Sequence, residues 1–323
     1  MVSFLLGVTA RGSVFRWLVA LTVVAVVAVT VSACGSSSTA GTASGVGGRG
    51  VQVVAAENEY GNVASQIGGR YVTVTSVESD PNTDPHTYEV SPSVAKEVAA
   101  AQLVIQNGVG YDDFMTKIES ASSGSNRRVI TVQQLLGLPD STPNPHLWYA
   151  PATMPKVADT LAADLSDLRP ADAAYFKANA ARFIASLNPW LAAIATFRAT
   201  YPGTPVATTE PVADYMLQAA GTDNLTPFRF QADIMNGVDP TPQDVSLENS
   251  LLTGHRVTVF VYNQQVTDSL TQSFITTAQK ANVPVIGVYE TMPTPGYDYQ
   301  SWMLAEVDAL HKAVTDHVST VKL

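Results

Sequence analysis

Short apolar segments rich in β-branched residues recur along the chain, separated by polar stretches with helical spacing. The apolar segments are residues 51–55, 72–77, 103–106, 129–132, 206–208, 257–261 and 285–288. Strands of this kind that alternate with helices are typical of βα units, in which the strands run parallel. We therefore predict an α/β fold with mainly parallel sheets.

Residues 151–201 contain no such apolar segment and separate the first four predicted strands from the last three. Apolar side chains recur at helical spacing in residues 171–198, which predicts a long helix. We expect this helical linker to join an α/β lobe at 51–150 to a second lobe at 202–323. Pro189 interrupts the pattern, and because proline removes a backbone hydrogen bond, we expect a kink or break near Asn188.

The N-terminal region resembles an export signal. Arg11 and Arg16 precede an apolar run at 17–31, as in secretory signal peptides. This run is shorter than the roughly 20 residues that cross a bilayer, which disfavours the alternative of a permanent transmembrane helix. The Val-Ser-Ala sequence before Cys34 resembles a bacterial lipobox. We predict a lipoprotein signal peptide at 1–33, lipid on Cys34, and a flexible tether at 34–50, so that the protein is anchored on the extracytoplasmic face of the cell membrane.

Composition narrows the chemistry. The chain is 46% hydrophobic and 14% charged, as expected for a globular protein with a sizeable core. Its formal net charge of −10 and its lack of a Lys/Arg-rich run argue against a nucleic-acid partner. Cys34 is the only cysteine, so with Cys34 lipidated no disulfide forms, and a metal site must use histidine and carboxylate ligands.

Two similar histidine segments suggest a metal site. Residues 84–89 (Asp-Pro-His-Thr-Tyr-Glu) and 144–148 (Asn-Pro-His-Leu-Trp) place His86 and His146 after a polar-proline turn. Such a turn presents the imidazole at little entropic cost, and neutral imidazole is a common ligand of zinc-like metals. A single histidine of this kind is usually structural, but two matching segments favour a shared metal. The histidines that lack this motif are interpreted as surface or structural residues: His255, His311 and His317.

These two segments, together with Asn107-Gly108, resemble the first and second ligand motifs of the metal-binding receptors of ABC importers, the cluster A-I or zinc/manganese receptor family. The resemblance extends over about residues 51–323. It implies a third ligand after the first strand of the second lobe, where residues 208–215 offer Glu210. A fourth, acidic ligand follows the last strand, where Glu290 stands and relatives more often carry Asp; Asp298 is the alternative. Residues 261–265 also resemble the family's strand-end segment.

The resemblance implies that His86, His146, Glu210 and Glu290, two from each lobe, bind Zn²⁺ or Mn²⁺ in the interlobe cleft. Without it, the two glutamates would be interpreted as solvated loop acids. Many zinc-specific members of the family that the chain resembles carry a His-rich, acidic loop in the first lobe, and its absence between His86 and His146 favours manganese slightly. Both imidazoles must be neutral to bind, so affinity should decrease below about pH 6.5.

A closed site with four ligands leaves no position for activated water, which favours a monomeric receptor that delivers its metal to an ABC permease over an enzyme. Two alternatives remain. A bilobal receptor for a siderophore or other organic ligand would need an aromatic or Arg-lined cleft, and no Arg cluster accompanies these motifs. A His/carboxylate metalloenzyme would need open coordination positions on its metal.

Overall fold

Two four-stranded sheets form the framework of the computed structural model, which describes residues 50–83, 85, 90–122 and 126–323. Every strand pair is parallel, and the strand orders, β2-β1-β3-β4 and β6-β5-β7-β8, are equivalent. The strands are β1 (Val51–Glu57), β2 (Val72–Glu78), β3 (Leu103–Gln106), β4 (Arg128–Thr131), β5 (Pro205–Thr208), β6 (Asp223–Asn224), β7 (Val259–Asn263) and β8 (Val285–Val288). The predicted α/β fold with two parallel-sheet lobes is confirmed.

Helices follow most strands. They are α1 (Asn58–Gly68), α2 (Pro92–Ala100), α3 (Asp113–Ala121), α4 (Val132–Leu136), α5 (Thr153–Leu168), α6 (Ala173–Ser186), α7 (Asn188–Thr200), α8 (Asp214–Ala219), α9 (Phe228–Met235), α10 (Pro242–Thr253), α11 (Ser269–Lys280) and α12 (Tyr299–Asp316). Within the described ranges, none of these helices is both long and apolar enough to span a membrane. The predicted signal peptide, Cys34 and nearly all of the tether lie outside the described residues.

The helical region between the lobes breaks where the proline predicts. Helix α6 ends at Ser186, and α7 begins at Asn188 with Pro189 in its first turn. A proline there loses no hydrogen bond, because the first backbone N–H groups of a helix have no partner within it. Helix α6 packs against α1 of the first lobe and α7 packs against α12. The helix pair therefore contacts both lobes.

The largest apolar cluster continues from one lobe into the other, and each lobe also has a smaller cluster of its own. In the shared cluster, the largest fully buried side chains include Trp148, Trp190, Trp302 and Tyr299. The Tyr299 hydroxyl donates to the Trp148 carbonyl at 2.6 Å, which ties α12 to the segment containing His146. Each large aromatic buries about 150–250 Å², or about 4–6 kcal/mol at about 25 cal/mol per Å². This core fixes where the loops of the two lobes meet.

One carboxyl group lies inside this core. Glu306 on α12 is fully buried, and its Oε1 accepts from Trp302 Nε1 at 3.0 Å and from the Tyr149 hydroxyl at 3.3 Å. Burial raises the pKa of Glu306 to about 8, although these hydrogen bonds oppose the shift. The carboxyl group is therefore largely protonated at neutral pH.

Replacing Glu306 should change how stability depends on pH. Its pKa is higher in the fold than the ordinary 4.5 expected in the unfolded chain, so unfolding releases a proton between those values and stability falls as pH rises through about 4.5 to 8. The Glu306→Gln protein keeps the side-chain oxygen that accepts these hydrogen bonds but has no carboxyl group to titrate. The decline of its stability with pH should therefore be less steep, by up to about 1.4 kcal/mol per pH unit. Urea unfolding at several pH values within that window measures the slope.

The control is Asp308→Asn, which removes an exposed carboxylate from the same helix and should leave the slope unchanged. A Glu306→Gln slope parallel to that of the wild type would contradict a protonated Glu306.

Candidate metal centre

Both candidate acids lie at one edge of the second sheet. Glu210 follows β5 and Glu290 follows β8, while Asn263 ends β7, the strand between them. Parallel strands present their carboxyl ends at a common edge, so these side chains converge. Only 3% of Glu210 and 1% of Glu290 are exposed, so neither is a solvated loop acid.

Asn263 holds the two carboxyl groups together. Its Nδ2 donates to Glu290 Oε1 at 2.5 Å and lies 3.3 Å from Glu210 Oε2. Its Oδ1 accepts from the backbone N–H of Gln265 at 2.9 Å, which fixes the orientation of the amide. A neutral donor therefore stands between two buried acids. Residues 261–265 resemble a family segment, but nothing in the sequence pattern indicates this role of Asn263.

His146 reaches the same place from the first lobe. Its Nε2 lies 3.2 Å from Glu290 Oε2, and its Nδ1 lies 2.8 Å from Asn144 Oδ1. Asn144 Oδ1 also accepts from the His146 backbone N–H, and Asn144 Nδ2 donates to the Pro211 carbonyl at 2.8 Å. Because Asn144 presents its oxygen to the ring, Nδ1 carries the proton, and in the neutral ring the Nε2 lone pair points toward Glu290.

Tyr111 is a second contact of Glu290 from the first lobe. Its hydroxyl donates to Glu290 Oε2 at 2.9 Å. Burial raises the pKa of Tyr111 well above 10, and the charge of Glu290 adds to the shift, so the hydroxyl stays protonated.

The turn that precedes Tyr111 needs a glycine, since Gly108 has a φ of 84° and a Cβ there would lie 2.7 Å from Gln133 Oε1. Asn107-Gly108 was the only sequence signal for this turn.

More buried carboxyl groups lie in the first lobe. Glu57 and Glu78 are register neighbours at the ends of β1 and β2. Burial raises the pKa of Glu57 well above its usual value, and the charges of Asp112 and Glu78 add to the shift. Burial also raises the pKa of Glu59, with a further contribution from the charge of Glu290, and that of Asp112 to about 6. These groups repel one another when ionised, so a cation placed among them is electrostatically favoured.

The remaining candidates are placed differently. His86 lies outside the described residues. Asp298, the alternative to Glu290, is the N-cap of α12, where its side chain accepts from the Ser301 backbone N–H at 2.9 Å. As interpreted from the sequence, the other three histidines are exposed: His255, His311 and His317.

The described residues supply nitrogen and oxygen donors in one buried place. The structure brings His146 and Glu290 into contact and joins Glu210 to Glu290 through Asn263. Within the described part of the chain, no three His, Cys, Asp or Glu side chains stand in metal-holding geometry. Imidazole and carboxylate donors suit divalent transition metals such as Zn²⁺ and Mn²⁺.

Two curated relatives align with part of the chain. The manganese-binding lipoprotein MntA of Bacillus subtilis (strain 168) is 28% identical over 139 residues, which are 41% of this chain and 45% of that protein. MntA of Halalkalibacterium halodurans is 28% identical over 168 residues, or 51% and 55% of the two chains. The chain thus spans about half the length of the curated relatives it matches.

A solved structure shares the fold. It is a serine-to-alanine mutant of the metal-free periplasmic metal-binding protein from Candidatus Liberibacter asiaticus. The TM-score is 0.67 and the sequence identity is 18%, and the match covers 82% of this chain and 100% of that one. The family model described as zinc-uptake complex component A, periplasmic (ZnuA) matches residues 53–313. Because that match covers most of the chain, the protein belongs to the ZnuA family.

Proposed function

We propose that the protein captures a divalent transition metal, Zn²⁺ or Mn²⁺, outside the cytoplasm and delivers it to an ABC permease for import. The observation that carries the proposal is the contact between His146 Nε2 and Glu290 Oε2 across the lobes, 3.2 Å long and fully buried. A cation between these atoms gains a nitrogen and an oxygen donor at once. Lipid on Cys34 would hold the receptor at the membrane, as the name lipoprotein implies for the MntA relatives.

The proposed ligands are His146 and His86 from the first lobe and Glu210 and Glu290 from the second. The hydrogen bonds of Asn144, Asn263 and Tyr111 support this assignment, because partners of this kind orient metal ligands in proteins. The described ligands are at most 3% exposed, so a metal held by them is largely shielded from water. Such shielding suits capture and release better than hydrolysis, which needs an open coordination position.

The cargo is Zn²⁺ or Mn²⁺. The family is described by zinc uptake, whereas both MntA relatives are named for manganese. The mixed nitrogen and oxygen donors accept either ion, and the Irving–Williams order gives Zn²⁺ the higher affinity for a given site. Affinity alone therefore does not identify the cargo, and metal supply outside the cell contributes to the choice.

The direct test is metal binding by residues 48–323, which form one compact unit. We expect one Zn²⁺ or Mn²⁺ per chain after purification without chelator, measured by elemental analysis, and competitive titrations that rank the two ions. Removing an outer hydrogen-bond partner of a metal ligand costs about 10- to 100-fold in metal affinity. The His146→Ala protein loses a ligand itself, so its metal affinity should fall by more than that. The control is His255→Ala, which removes an exposed histidine. Absence of metal from the wild type, with no binding on titration, would overturn the proposal.

Glu290→Gln should weaken Zn²⁺ binding by about 100-fold, because the amide removes the negative charge that faces the cation. The matched control is Glu248→Gln, another buried acid of the second lobe, which accepts from the Thr226 hydroxyl at 3.0 Å. Burial raises the pKa of Glu248 to about 8, so its loss removes little charge at neutral pH. Isothermal titration of both proteins measures the difference, and equal affinities would exclude Glu290 as a ligand.

Asn263→Asp should make stability depend strongly on metal. The change replaces the donor between Glu210 and Glu290 by a third carboxyl group, which should destabilise the metal-free protein by roughly 2–4 kcal/mol at neutral pH. Saturating Zn²⁺ should restore more stability to the variant than to the wild type. Thermal melts with and without Zn²⁺ measure this effect. Asn249→Asp is the control, since that amide donates to the Val245 carbonyl within α10. Equal melting temperatures for metal-free wild type and Asn263→Asp would refute the role of Asn263.

A further inference from the structure

The side-chain amide of Gln265 joins the two lobes. Its Oε1 accepts from the backbone N–H groups of Glu290 at 2.7 Å and Thr291 at 2.8 Å. Its Nε2 donates to the Thr83 carbonyl at 2.8 Å and lies 3.1 Å from Thr291 Oγ1. Thr83 belongs to the first lobe and the other partners to the second. One amide therefore fixes the backbone of Glu290 and holds the first lobe against it.

Gln265 also connects to the carboxyl groups themselves. Its backbone N–H donates to Asn263 Oδ1, and Asn263 Nδ2 donates to Glu290 Oε1. Glu290 is thus held at its backbone by the side chain of Gln265 and at its carboxylate by Asn263. A displacement of Gln265 therefore disturbs the hydrogen bonds at both the backbone and the carboxylate of Glu290.

A cavity of about 180 Å³ lies beside this amide. Thr83 and Thr291, both partners of Gln265, line it, together with the acids Glu78 and Asp80. Thr83 is exposed, so the bond that closes this side of the protein is accessible to water. Carboxyl groups along the cavity favour a cation there, and Thr291, which lines the cavity, directly follows Glu290 in the chain.

We propose that Gln265 is a positioning residue that sets the rate at which the cation leaves: breaking its bond to Thr83 separates the lobes locally at the cavity, while its Oε1 still holds the backbone of Glu290. This inference rests on the proposed metal-receptor function. Differences between closely related complexes usually appear in dissociation rates, so exit kinetics are the appropriate readout.

The test is a chelator chase of Zn²⁺-loaded protein in a stopped-flow instrument. Gln265→Ala removes all contacts of the amide, whereas Gln265→Glu keeps an acceptor for Glu290 and Thr291 but cannot donate to Thr83. We expect both variants to release Zn²⁺ about tenfold faster than the wild type. The added charge of the glutamate by itself slows the loss of a cation, so faster release from that variant reports the lost bond to Thr83.

The matched control is Gln300→Ala, because Gln300 also makes an interlobe glutamine pair, with Gln66 on α1, away from Glu290. Its release rate should stay within about twofold of the wild type. The Co²⁺ absorption spectrum at saturation should be the same in all four proteins, since the ligands themselves are unchanged. Melting curves of the metal-free proteins establish whether each variant is folded. If Gln265→Ala is not folded, Gln265→Glu alone provides the test.

Wild-type release rates in both Gln265 variants would overturn the inference. Release from Gln300→Ala that is as fast as from the Gln265 variants would also overturn it, because the loss of any interlobe contact would then speed release. Fast release from Gln265→Ala with slow release from Gln265→Glu would also overturn it, because the bond to Thr83 would then have no part. A wild-type protein that binds neither Zn²⁺ nor Co²⁺ would instead refute the proposed function.

Discussion

Two buried carboxyl groups beside each other are the constraint around which the rest of the protein is arranged. Glu210 and Glu290 are nearly inaccessible to water, where ionised groups are poorly solvated and like charges repel strongly. The protein offsets this cost with neutral donors, the amide of Asn263 and the hydroxyl of Tyr111. Neither of these brings a permanent positive charge. A bound cation would supply that charge, which supports the proposed metal receptor.

The equivalent strand orders of the two sheets explain how donors from both lobes reach one place. In each lobe, loops that follow parallel strands leave from the carboxyl edge of a sheet. Tyr111 follows β3 of the first sheet, Asn263 ends β7, the equivalent strand of the second sheet, and Glu290 follows the neighbouring strand β8. The continuous core and the pair formed by α6 and α7 hold the two edges near each other. The site therefore depends on packing that lies far from it.

The sequence was sufficient for the framework because its strands are short β-branched segments. The exceptions have physical reasons: β6 is a polar pair of residues, Asp223–Asn224, without an apolar signal, and β7 lies two residues later than predicted. The break after α6 followed from Pro189 alone. By contrast, no periodicity indicates that Glu306 is buried, because a polar residue on a helix is ordinarily assigned to its solvated face.

The candidate site was predicted unevenly. His146 was predicted from its Asn-Pro-His segment, whereas Glu210 and Glu290 came from a family resemblance, and the structure brings these side chains to one region. Tyr111, Asn263 and Gln265 escaped detection, because each acts through a hydrogen bond to a residue distant in sequence. Tyr111 and Glu290, for example, are 179 positions apart. Such pairs exist only after the chain has folded, so a pattern along the chain does not encode them.

The distribution of interlobe hydrogen bonds indicates which side of the site gives way. On the His146 side they are buried: Asn144 donates to the Pro211 carbonyl, and Tyr299 donates to the Trp148 carbonyl. Breaking them would expose unsatisfied polar groups within the core. On the other side, Gln265 bonds to the carbonyl of exposed Thr83, where water replaces a lost partner at little cost. Separation at Thr83 leaves these buried bonds in place, together with the buried pair between Asn58 and Met292, so an opening there is local and does not unfold the core.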